Sequence, residues 1–127
     1  MLERIDLGKE NVLGFRVDGK IDMNDIKESQ NAILPELKSE NKFNLYVEVT
    51  DDVSSVEPQA IAERVRFLFS NFGDIKKKVN KLAVVTDKNW LQHLTTGIYK
   101  LVPAIDHKSF AFEESEKARE WITDHKK

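Results

Sequence analysis

Three groups of side chains in this 127-residue chain have the chemistry to act on something else. Asp51, Asp52 and Asp87 follow two apolar runs that end at Val49 and Val85, so strand ends would bring their carboxylates together. Such a cluster could bind a cation or exchange protons with a substrate. The same residues just past a strand also suit turns and helix caps, and Thr86 and Asp87 are expected to cap the helix that begins near Trp90. His93, His107 and His125 lie far apart and match no metal-ligand spacing, and the chain has no cysteine. Ser54 and Ser55 lack the glycines of a serine elbow, and there is no phosphate loop and no Gly-x-Gly-x-x-Gly. No catalytic residue, metal site or cofactor is therefore assigned.

The third group is basic. Lys76, Lys77 and Lys78, with Lys81, form a local patch. Beside exposed apolar side chains such a patch engages anionic lipid headgroups, at about 1 kcal/mol per basic residue near the surface. Elsewhere acids and bases are interspersed and the formal net charge is -2, which argues against nucleic acid.

The elements that must position these groups can be read in order. Leu2 to Leu7 and Asn11 to Val17 read as two strands joined near Gly8. Asp22 or Asn24 can cap a first helix whose Met23, Ile26, Ile33, Leu34 and Leu37 share one face, with Pro35 expected to kink or end it. Phe43 to Val49 alternates as a third strand, with Phe43, Leu45, Val47 and Val49 on one side. Pro58 opens a second helix that Gly73 can end, and 74–81 reads as a lysine-rich connector. Leu82 to Val85 is apolar throughout, as befits a strand covered on both faces. Leu91, Leu94, Ile98 and Leu101 form a third helical stripe, Ser109 to Glu113 a fifth strand, and 116–124 a last helix behind Ser115. The order ββαβαβαβα predicts an α/β fold: a mixed, mostly parallel five-stranded sheet with helices packed on it.

With 40% hydrophobic residues, 1–127 fits a single domain. The start, Met1-Leu-Glu-Arg-Ile-Asp, lacks the apolar core of a signal peptide, and no run reaches the roughly 20 apolar residues of a membrane span. A cytoplasmic protein is expected, with any membrane contact peripheral.

Several local patterns resemble one family. They are the opening hairpin with Gly14 and Asp18-Gly19, the segment Leu34-Pro35-Glu36-Leu37, and Leu82-Ala-Val-Val-Thr-Asp with Trp90 beyond it. Phe110 followed by Glu116-Lys-Ala-Arg-Glu-Trp-Ile122 completes the set. The chain resembles the SpoIIAA-like proteins, related in fold to STAS domains. The resemblance implies a non-enzymatic α/β domain that holds a small apolar molecule between helices and sheet and associates with membrane surfaces. Regulatory STAS proteins carry an Asp-Ser-Ser-Gly-like segment before the second helix. Here Val53-Ser-Ser-Val-Glu-Pro58 has no glycine after its serines, so the usual phosphoserine switch is not expected. A STAS-type interaction module docking through 51–58 and the second helix is the alternative.

On the second helix Val65, Leu68 and Phe72 fall within about 40° of Ile61, while Phe67 falls on the far side. An outward Phe67 is expected to meet a ligand, a lipid surface with Lys76, Lys77 and Lys78, or a second copy in a homodimer. Gly97 weakens the third helix, which could act as a lid, or else it permits a close helix approach. The expected ligand site is Phe67, Phe69, Phe72, Trp90, Leu94 and Ile98, between the sheet and the second and third helices.

Overall fold

The computed structural model describes residues 1–50 and 52–124. Five strands, β1 (Leu2–Ile5), β2 (Val12–Val17), β3 (Phe43–Val49), β4 (Val79–Val85) and β5 (Asp106–Phe110), lie in one sheet in the order β1-β2-β3-β4-β5. The β1–β2 pair is antiparallel and the other three are parallel, as the alternation of strands and helices predicts. Gly14 is fixed by this hairpin: a Cβ there would stand 2.8 Å from the Ile5 carbonyl oxygen, so no larger residue fits without moving β1.

Five helices connect and cover the sheet: α1 (Met23–Lys38), α2 (Pro58–Ser70), α3 (Phe72–Lys78), α4 (Asn89–Tyr99) and α5 (Ser115–Thr123). Asp22 caps α1 reciprocally: its carboxylate accepts from the Asp25 N–H, and Asp25 accepts from the Asp22 N–H, each at 3.0 Å. The helix does not end near Leu34. It runs through Pro35 to Lys38, because burial of Ile33 and Leu37 holds the last turn despite the lost hydrogen bond. Residues 72–78 are also helical rather than a plain connector. Asn71 breaks the path between α2 and α3, two residues before Gly73, and Ile75 anchors α3 to the core. β5 begins at Asp106 and stops at Phe110, so Phe112 belongs to a short 3₁₀ turn that leads into α5.

From β2 onward every crossover steps one strand in the same direction. Right-handed crossovers repeated in one direction leave all their helices on one face. Accordingly Ile33 and Leu37 of α1, Phe67 and Leu68 of α2, Ile75 of α3 and Tyr99 of α4 pack with Phe15, Leu45 and Leu82. On the opposite face Ala118 and Ile122 of α5 pack on Val12, Tyr46, Ala83 and Val85. The strand order never reverses, so the crevice that marks ligand sites in doubly wound sheets does not arise at the end of β4.

Candidate functional site

The four helices on one face do not close completely on the sheet. They leave an apolar cavity of about 150 Å³, partly open to solvent. Phe15, Leu45 and Leu82 from the strands form its floor. Ile26, Ser29 and Ile33 of α1 and Ala60, Ile61 and Arg64 of α2 form one wall, and Leu91, Leu94, Thr95, Ile98 and Tyr99 of α4 the other.

Of the residues expected to bind ligand, Leu94 and Ile98 line this cavity. Phe67, Phe69, Phe72 and Trp90 are not among its lining residues. Phe67 does not face outward: it is 8% exposed and packed in the main core, so it cannot meet lipid or a partner from that position. The wheel places Phe67 correctly relative to Ile61, but α2 buries the side carrying Ala60, Phe67 and Leu68, with Ile61 at its margin. Phe69 is 63% exposed, and Phe72, beyond the break at Asn71, is 38% exposed. Phe72 opens α3, whose last turn carries Lys76 and Lys77, both exposed, and Lys78, half-buried. Trp90, at the start of α4, is 40% exposed.

The cavity wall formed by α4 is lightly secured. Lys88 precedes the helix and gives it no side-chain cap. The expected capping residues work elsewhere: the Asp87 carboxylate accepts from the Phe112 N–H at 3.0 Å, and the Thr86 hydroxyl accepts from the Lys88 N–H at 3.1 Å. Gly97 is not a close-packing glycine, since a Cβ there meets nothing within 4 Å. Gly97→Ala is therefore expected to stabilise the protein by up to about 1 kcal/mol through helix propensity alone. Thermal denaturation measures this gain, and a slower release of any cavity ligand would accompany it if α4 opens for exchange.

The carboxylate cluster does not assemble as a reactive site among the described residues; Asp51 and His125 lie outside them. Asp52 accepts from the Thr50 hydroxyl, which, with the Gly19 N–H, holds its carboxyl below the ordinary value. No group of three or more His, Cys, Asp or Glu side chains among the described residues could hold a metal ion.

Sequence reading missed a second feature, on the α5 face. Glu48 of β3 is buried there, with 6% of its side chain exposed. It accepts from Tyr46 Oη at 2.5 Å, from Arg119 Nη2 at 2.8 Å and from Arg16 Nη2 at 3.0 Å. Burial alone would raise its carboxyl, but the bonds from Tyr46, Arg119 and Arg16 outweigh that and hold it below the ordinary value. Burial, then the bond to Glu48, pushes Tyr46 up to about 12. With every Glu48 oxygen occupied by protein donors, the network is a buried joint between sheet and α5 rather than an open reaction centre.

The frame that holds cavity and joint is thus a single mixed sheet with crossover helices on one face and one closing helix on the other. The SpoIIAA-like family model matches residues 12–123, and the chain belongs to that family. An uncharacterised protein of the DUF3478 family from Shewanella loihica PV-4, whose crystal structure has a SpoIIAA-like fold, superposes with a TM-score of 0.67. The two are 13% identical over 96% of this chain and 92% of that one, a likeness of fold alone. None of the curated proteins matches the chain. The fold is consistent with a non-enzymatic interaction or regulatory module. Among the described residues no helix is long and apolar enough to cross a membrane.

Proposed function

We propose that this chain is a non-catalytic binding domain whose ligand is a small, mainly apolar molecule held in the cavity between α1, α2, α4 and the sheet. The supporting observation is the cavity itself, because well-packed interiors seldom leave a void of about 150 Å³. An apolar cavity of this size holds a molecule on the scale of benzene, or about six carbons of a chain. A long lipid tail would have to extend past α4 or displace it. The exposed Phe69 and Phe72, together with the exposed Lys76 and Lys77 of α3, suit the same domain to reversible contact with anionic membranes.

Native mass spectrometry of freshly purified protein is expected to show a bound small molecule, and Ile98→Trp, which fills the cavity, to abolish its retention. An empty wild-type protein that also takes up no added 1-hexanol or benzene would defeat the proposal. For the membrane surface, flotation with anionic liposomes should fall when Lys76 and Lys77 become glutamate.

One observation favours a second reading, a protein-interaction module of the STAS type. Ser54 and Ser55 are both exposed on the loop before α2. Phosphate on either serine in protein from its native host would support that reading, and a pull-down that recovers no protein partner would count against it.

A further inference from the structure

The cavity wall is mostly apolar, and Arg64 brings a positive charge to it. Arg64 reaches it from α2 with its guanidinium half-buried. Its three hydrogen bonds go to neutral acceptors: Tyr99 Oη at 2.9 Å, Ser29 Oγ at 2.6 Å and Gln30 Oε1 at 3.3 Å. Among the described residues no carboxylate lies within ion-pair distance of it, whereas Arg16, Arg66 and Arg119 each have one. The nearest acid on its own helix, Glu63, is committed to Arg66 at 2.7 Å and to Gln30 at 3.1 Å. Asp25 also borders the cavity, but it receives the Asp22 N–H and lies 3.7 Å from the Met1 ammonium. A partly desolvated cation without a counter-ion is costly, and folded proteins pair such charges as a rule.

Donors are also to spare. A guanidinium has five N–H groups. Three are engaged, so 5 − 3 leaves two, one on each terminal nitrogen. Tyr99 accepts from Arg64, and its own hydroxyl proton remains available to donate. A planar fork beside a hydroxyl matches the two oxygens of a carboxylate. One guanidinium balances a single negative charge, and a doubly charged phosphate monoester would leave one charge uncompensated in an apolar site.

We propose that the ligand is a short-chain aliphatic carboxylate, with its head on Arg64 and Tyr99 and about six carbons in the cavity between α1 and α4. The inference rests on the cavity-binding reading above and adds the chemistry of the ligand's head.

The test compares hexanoate with 1-hexanol, which has the same number of carbons and no charge, by NMR titration of the full chain. Wild type is expected to bind hexanoate at least about tenfold more tightly, the range of charge-assisted hydrogen bonds. Arg64→Gln should erase that gap by weakening hexanoate far more than 1-hexanol. If Arg64→Gln does not fold, Tyr99→Phe decides, since it removes one hydroxyl: hexanoate should weaken about two- to tenfold and 1-hexanol should not. Equal affinity for the two ligands, or a gap that survives these substitutions, overturns the carboxylate assignment and leaves the apolar cavity standing. Binding of neither ligand overturns both.

Discussion

Glu48→Ala is expected to destabilise the protein by about 3–5 kcal/mol, the usual consequence of removing one partner from a buried ionic group. The alanine would leave the Arg119 guanidinium without a carboxylate, Arg16 with only Glu3 at 3.7 Å, and Tyr46 Oη without its acceptor. Against a total stability of about 5–15 kcal/mol for a domain, the loss is large, and urea denaturation will measure it. The pH profile carries an independent signature. Glu48 has a folded-state value below its ordinary 4.5, so its stabilisation is present above that value and is lost as pH falls through the lower folded one. Wild type should therefore lose stability more steeply than Glu48→Ala below about pH 4.5. Tyr46, held up at about 12, acts at the other end: its stabilisation is complete below the ordinary 10 and fades as pH rises from there towards 12. Parallel acid limbs in the two proteins would show that the carboxylate is not held as described.

The second large effect is expected at Asn44. The step from Phe43 to Leu45 on β3 faces the longer step from Val79 to Leu82 on β4, so the ladder slips there. The Asn44 side chain fills the gap. Its oxygen accepts from the Lys81 N–H at 3.1 Å, and its amide donates to the Ile122 carbonyl at 2.8 Å. Lys81 adds its ammonium to the Trp121 carbonyl at 3.0 Å and lies 5.1 Å from the centre of the Trp121 ring. Asn44→Leu orphans a buried donor and a buried acceptor, and about 2–4 kcal/mol should be lost. Chemical denaturation measures the total. Hydrogen exchange should locate it, with protection falling at Lys81 and along α5 more than in α1.

These two residues show where sequence reading stops. The alternation of Phe43, Leu45, Val47 and Val49 marks a strand, and it correctly places one face of β3 towards α1–α4. The intervening Asn44, Tyr46 and Glu48 look like a wet face, yet all three are buried. Polar identity hides burial when each polar group finds a partner far away in sequence, and Arg16 and Arg119 are such partners. The hint lay in topology: an interior parallel strand is covered on both sides, so its polar positions must be paired. Phe67 failed for a related reason. Period gives the relative angles of side chains on α2, but only packing says which angle points inward, and Arg64 lies within that inward sector. The cavity was legible only in outline, through Leu94 and Ile98 on α4. Its charged part was not, because Arg64, Ser29 and Tyr99 come from three helices. The strand and helix order was the easiest part to read, since the apolar run at Leu82 to Val85 and Pro58 at the start of α2 mark it locally.

The one-sided winding of the sheet also has a consequence for synthesis. A nascent chain that has left the ribosome only as far as β5 has every strand and all four crossover helices available. The opposite face, with Tyr46, Ala83 and Val85, still lacks its cover, because Ala118 and Ile122 follow later. Glu48 and Arg16 then wait as an incomplete pair until Arg119 emerges. That apolar sheet face is therefore expected to stay open to chaperones during synthesis until α5 clears the exit tunnel and covers it.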